Sequence, residues 1–206
     1  MNKKTILLLC LLTLLTVTVF AQDEEKTDDY LGVTAYSTGE QIFSLNAGPI
    51  IPLFTIATSP ATGTEAVSAL TSTNIGVAGG LKWGSFVADN FYLGIDLTGM
   101  FTTTANRTLS MIPISFTTGY YFIVWPFEFP IYLNTGLSFN TLGTYFTITP
   151  SIKPGIGAYW NITDEWAIGL NAEYWFMPEI YFSGEFLNQS LIANFLQINL
   201  TGVFHF

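Results

Sequence analysis

The chain has 206 residues, half of them hydrophobic and only 10% charged, against about 25% charged in an ordinary soluble domain. Its formal charge of −9 argues against nucleic acid as a partner, because a phosphate backbone needs basic neutralisation. The single cysteine, Cys10, lies in the amino-terminal apolar run, which excludes disulfides, thiolate chemistry and cysteine metal sites from the rest of the chain.

Lys3 and Lys4 precede an apolar stretch over residues 6–20, and Val19, Phe20 and Ala21 give the exit before Gln22. This predicts a cleaved secretory signal over residues 1–21, too short for a membrane span and without a basic stop-transfer flank. Leu9 is not the small residue a lipoprotein cleavage site needs before Cys10. Removing the signal leaves 4 basic against 15 acidic side chains, a formal 4 − 15 = −11. Residues 22–40, which carry Asp23, Glu24, Glu25, Asp28 and Asp29, read as an acidic, solvated periplasmic segment. No later apolar run reaches the roughly 20 residues of a membrane helix. A chain this hydrophobic must then satisfy its backbone with strands, and in lipid that means a closed barrel.

From Gln41 onward eight segments alternate between apolar and polar residues. Four begin near Gln41, Phe91, Ile131 and Trp166, and the four returning ones near Asn74, Leu109, Ile148 and Leu191. One parity holds residues such as Leu45, Leu81, Leu97, Phe116, Leu137, Ile152, Leu170 and Leu200, with no charge among them. The other holds Ser44, Asn46, Lys82, Asp96, Ser138, Lys153, Glu173 and Gln197 among many glycines. The expected fold is therefore all-β: an eight-stranded antiparallel up-and-down transmembrane barrel over residues 41–206, apolar face to lipid and polar face inward. Residues 85–90, 123–130 and 161–165 read as periplasmic turns, and residues 54–73 and 177–190 as long outer loops. An even strand count puts both termini in the periplasm. Trp83, Trp125, Trp160 and Trp166 then fall at that rim, where an aromatic belt belongs. A water-soluble carrier barrel would have to show the small Gly, Ser, Thr and Asn parity to solvent, which suits a soluble surface poorly.

The last segment runs from Leu196 to an aromatic end at Phe204 and Phe206. With the signal and the alternation, it resembles the small eight-stranded outer-membrane barrels of the OmpW, OmpX and OmpA-transmembrane type, including spirochaete relatives. The resemblance implies a bacterial outer-membrane address and lipid as a partner. It also implies that Phe204 and Phe206 act as the signal read by the barrel-assembly machinery. Two functions follow from it: binding or passing small hydrophobic solutes through a narrow polar lumen, or a non-conducting surface barrel that serves adhesion or envelope integrity through its loops.

Enzymes occur on such barrels, and they use a histidine near the outer surface. The only histidine here, His205, is penultimate and falls at the opposite end, so no catalytic residue, cofactor or metal site is expected. The candidate residues are instead two lumenal ion pairs. A turn centred on Thr163 would set Trp160 opposite Trp166 and Lys153 opposite Glu173. A turn pairing Trp83 with Leu93 would bring Lys82 diagonal to Asp96. The inward glycines either leave room for a solute or make space for Tyr121, Tyr132, Tyr159 and Trp175. In the long outer loops, Tyr181, Phe182 and Phe186 are candidates for contact with an apolar solute or a host surface.

Overall fold

The computed structural model describes residues 36–59, 64–69, 73–104, 107–179 and 190–206. Its strands are β1 (Gln41–Ser59), β2 (Thr64–Ala69), β3 (Gly76–Ala88), β4 (Phe91–Thr104), β5 (Arg107–Val124), β6 (Phe127–Leu142), β7 (Tyr145–Asn161), β8 (Trp166–Glu179) and β9 (Ser190–His205). Strand β1 and strands β3 to β9 pair in chain order, and β9 returns to pair antiparallel with β1, from Ile42 with His205 to Thr58 with Ser190. The result is a closed eight-stranded up-and-down barrel, the fold the alternation predicts. Closure leaves none of the eight with an open edge along its paired length, which lipid requires. Phe206 completes the seam: Gln41 N–H donates to its carbonyl at 2.8 Å, and its own N–H donates to Gln41 at 3.0 Å.

The connections differ from the expected ones. Residues 54–73 read as one loop, yet β1 continues through them to Ser59 and β2 folds back on it, pairing Phe54 with Ala69 through Ser59 with Thr64. The many threonines of this stretch look loop-like in composition but suit strands. Residues 123–130 read as a turn, whereas only Trp125 and Pro126 separate β5 from β6, joined by a cis peptide bond. The expected signal and the acidic residues Asp23 to Asp29 lie outside the described residues. The described end of that segment is exposed at residues 37–40 but is tied to the barrel: Gly39 N–H donates to Phe86 O at 2.8 Å, and Tyr36 N–H to Asn90 Oδ1 at 2.9 Å.

Burial is inverted relative to a water-soluble protein. Leu45, Ile95, Phe116, Leu137, Leu170 and Leu200 are exposed, while Asp96, Asn134, Lys153, Glu173 and Gln197 are at most 1% exposed. On each of the eight strands the outward face is predominantly apolar and the mid-strand charges face in, so the favourable surroundings of this outer surface are hydrocarbon. The interior is layered. An apolar cluster of Ile42, Phe86, Tyr92, Tyr121, Ile123, Tyr159, Ala167 and Val203 fills the end that carries Tyr36 and Phe206, here the terminal end. A second cluster of Ile50, Ala78, Met100, Met111, Trp175, Met177 and Phe195 lies toward the opposite, loop end. The buried charges Lys82, Asp96, Lys153 and Glu173 occupy the level between them. The inward glycines make room for rings: a Cβ on Gly155 would stand 2.5 Å from the Tyr132 ring, and one on Gly169 2.7 Å from Tyr159.

Candidate functional site

The middle of the lumen holds Lys82 (β3), Asp96 (β4), Lys153 (β7) and Glu173 (β8), two cations and two anions that balance. Lys82 is ion-paired with Glu173, and Lys153 with Asp96. Lys153 Nζ also lies 3.8 Å from Glu173 Oε2. Neutral partners complete the shell. Thr98 donates to Asp96 at 2.8 Å, Tyr132 donates to Glu173 at 3.0 Å, and Asn171 donates to the Tyr132 hydroxyl at 3.0 Å. The Lys82 ammonium sits 3.8 Å over the Tyr132 ring and that of Lys153 4.8 Å over Trp175. Buried charge survives only when compensated in this way.

The structure thus brings the four predicted charges together and keeps the expected Lys153–Glu173 contact at 3.8 Å, but the shorter pairs are Lys153 with Asp96 and Lys82 with Glu173, and the registers differ. Gly155, not Lys153, stands opposite Glu173, and Trp160 pairs with Ile168 rather than with Trp166. At the other hairpin Trp83 pairs with Ile95, which sets Lys82 directly opposite Asp96 instead of diagonal to it. In both hairpins the ladder is displaced by two residues from the expected one, because the turns are not centred where the sequence suggested. The lysines then reach across the lumen to the carboxylates of strands that are not their neighbours.

At the terminal end a second constellation was not anticipated. Glu128 of β6 is 1% exposed. Its Oε1 accepts from the Tyr36 hydroxyl and, at 2.6 Å, from Asn161 Nδ2. His205 Nδ1 lies 2.6 Å from the same Tyr36 oxygen. The Tyr36 ring stacks on Phe86 at 4.3 Å and on His205 at 5.2 Å, so a residue ahead of the barrel is seated in its mouth. Burial, and then the facing Glu128 carboxylate, push the Tyr36 phenol well above its ordinary range. Glu128 escaped notice because Pro126 and Pro130 made its stretch look like a turn. The alternation Phe127, Phe129, Ile131 against Glu128, Pro130, Tyr132 is the signal that would have found it.

At the loop end a cavity of about 290 Å³ lies against the apolar cluster, with Met111, Met177, Leu191 and Phe195 in its walls. Thr149 of β7 and Glu179 of β8 also line it. Here the hydrogen bonding between β7 and β8 is interrupted. The β7–β8 ladder runs from Asn161 with Ala167 to Gly155 with Glu173, then resumes only at Ile152 with Phe176 and is not continued toward the loop end. Pro154 and Pro150 on β7 and Pro178 on β8 lack the N–H groups a ladder needs. Phe204 and Phe206 stack on one another at 5.5 Å on the outer face of the closing seam. Tyr181, Phe182 and Phe186 lie outside the described residues.

An inverted, closed barrel with a filled polar interior defines the class: a small up-and-down β-barrel of the outer-membrane type. Similar folds support this. Neisserial surface protein A is 12% identical with a TM-score of 0.56, covering 82% of this chain and 98% of that one. The outer membrane protein OprG of Pseudomonas aeruginosa is 10% identical with a TM-score of 0.50, covering 83% and 97%. Within the class, a protein-family model matches residues 22–204, and the chain belongs to that family. An uncharacterized protein of Borreliella burgdorferi is 26% identical over 148 residues, 61% of this chain and 70% of that one, which gives the barrel a spirochaete relative.

Proposed function

We propose that the protein is a bacterial outer-membrane barrel, both termini periplasmic, that takes small hydrophobic solutes into its loop-end cavity and releases them sideways into the membrane between β7 and β8. The observation that carries this reading is the coincidence of the cavity with the interrupted ladder. Thr149 and Glu179, which line the cavity, belong to the stretches of β7 and β8 that are not laddered to each other, although each pairs with its other neighbour, β6 or β9. Straight passage down the lumen is opposed by the layer beneath. A solute moving that way would have to displace Lys153, Asp96 and Glu173, all of which are fully buried and mutually compensated. An apolar solute offers those charges nothing in return, whereas the wall toward lipid offers it hydrocarbon. Phe204 and Phe206 are assigned to recognition by the barrel-assembly machinery, a role that suits outward-facing aromatics, Phe204 half-buried and Phe206 exposed, at the end of the closing strand. The surface-contact reading rests on Tyr181, Phe182 and Phe186, outside the described residues.

The chain without its signal has no cysteine, so a pair can be introduced cleanly. Thr149→Cys with Glu179→Cys, joined by a short bismaleimide, should stop entry of a fluorescent apolar solute into vesicles, and reducing-agent-cleavable crosslinking of the same pair should restore it on cleavage. Uptake undiminished by the crosslink would sink lateral release. Binding undiminished by Phe195→Asp would sink the cavity as the site.

A further inference from the structure

The Tyr36 cluster leaves acceptors without donors. The Tyr36 hydroxyl has one proton and gives it to Glu128 Oε1, so His205 Nδ1, 2.6 Å from the same oxygen, must be the N–H that donates to it. In the neutral ring this leaves Nε2 with a lone pair. Asn161 directs one of its two amide N–H donors to Glu128 Oε1 as well. The protein's donors converge on one carboxylate oxygen, and the other receives none: Glu128 Oε2 and His205 Nε2 are both buried without a hydrogen-bond partner. Glu128 is 1% and His205 8% exposed.

Both residues line a cavity of about 400 Å³ at the terminal mouth, a volume suited to a small ligand. The other titratable groups around it are Glu40, Asp164 and Tyr36. The carboxylates add acceptors and negative charge, and no lysine or arginine faces them among the lining residues. Trp125 and Tyr36 supply aromatic walls. A buried carboxylate oxygen with no donor carries its full desolvation cost, and the group that removes that cost is a cation that brings hydrogen.

We propose that this cavity binds a primary ammonium group on a short apolar chain, its NH₃⁺ donating to Glu128 Oε2 and His205 Nε2. An ammonium has three donors and no acceptor, the complement of this site. A guanidinium fits less well, because its fork needs both carboxylate oxygens and Oε1 is already taken. A metal ion fits less well too, since the described residues bring together no group of three His, Cys, Asp or Glu that could hold one. The same chemistry is offered by a free diamine or by a lysine side chain of a polypeptide.

The test uses the full chain folded in lipid vesicles, titrated by calorimetry with cadaverine, with Nα-acetyl-lysine methylamide, and with tetramethylammonium as a cation without donors. Saturable binding of cadaverine or of the lysine amide, but not of tetramethylammonium, is expected. A preference for cadaverine marks a free amine as the source, and a preference for the lysine amide marks a polypeptide. Glu128→Gln should weaken binding by roughly tenfold or more. If that variant does not fold, the nitrogen NMR signal of His205 Nε2 in the unaltered protein must move on adding cadaverine. The proposal is overturned if neither amine saturates, if tetramethylammonium binds equally well, if Nε2 does not respond, or if the ligand-free ring is doubly protonated at neutral pH and so is itself the cation.

Discussion

Asp96 and Lys153 are fully buried, so each is tolerable only in the other's presence. In Asp96→Asn, the only carboxylate left to Lys153 is Glu173, through Oε2 at 3.8 Å, while Lys82 already claims the other oxygen of that carboxylate. Two cations would share one anion, and the loss should be about 3–5 kcal/mol. Adding Lys153→Met removes the surplus charge and should recover part of it. Urea unfolding of the four proteins in vesicles measures the coupling, and strict additivity would mean that these side chains do not meet. Tyr36 is a second residue with a defined energetic signature. Its pKa is raised in the folded state, so its contribution is fully present below the ordinary phenol value of about 10 and is lost as pH rises above it toward the folded-state value. Tyr36→Phe keeps the stacking and should cost about 1–3 kcal/mol at neutral pH, while flattening the alkaline loss seen with the tyrosine. An alkaline melting profile unchanged by this substitution would show that another group governs it.

Strands carry the lipid-facing pattern, and it can be probed by depth along one of them. On β4, Leu97 and Thr103 share the outward face, Leu97 at mid-strand and Thr103 near the loop end. Leu97→Arg should destabilise by about 2–4 kcal/mol in vesicles and Thr103→Arg by about 0–1; equal costs would mean that the face does not meet a hydrocarbon centre. This outward parity was legible in the sequence because period-two alternation is local and survives any choice of pairing. Register was not. A slip of two residues returns every side chain to the same face, so hydrophobicity cannot tell Trp160 opposite Trp166 from Trp160 opposite Ile168. Yet that slip decides whether Lys153 faces Glu173 or reaches past it to Asp96. For the same reason the lumenal residues were identifiable by type while their partners, set across the barrel by closure, were not. Tyr36 and Glu128 escaped for a different cause: their setting is made by the meeting of residues 92 apart in sequence, which no local pattern contains.

At the scale of the whole molecule, function depends on which end meets which compartment. The terminal end carries the tight turns, including Asp89 and Asn90, the packed Tyr36 and the exposed Trp125, Trp160 and Trp166. The loop end carries the cavity, the β1–β2 hairpin and the stretch where β7 and β8 are not laddered to each other. Solute capture from outside, with release into the membrane, requires the loop end to be extracellular, while an ammonium ligand at the Tyr36 mouth would then come from the periplasm. Single cysteines decide the orientation, because the chain without its signal offers no competing thiol. Thr144→Cys, in the turn between β6 and β7, should react with a membrane-impermeant maleimide on intact cells. Asp89→Cys and Asp164→Cys should react only after the outer membrane is permeabilised. Labelling of Asp89→Cys on intact cells would invert the barrel, put the charged Tyr36 mouth outside and remove the basis for capture through the loop-end cavity. Labelling of all three would mean that the barrel does not separate the two compartments at all.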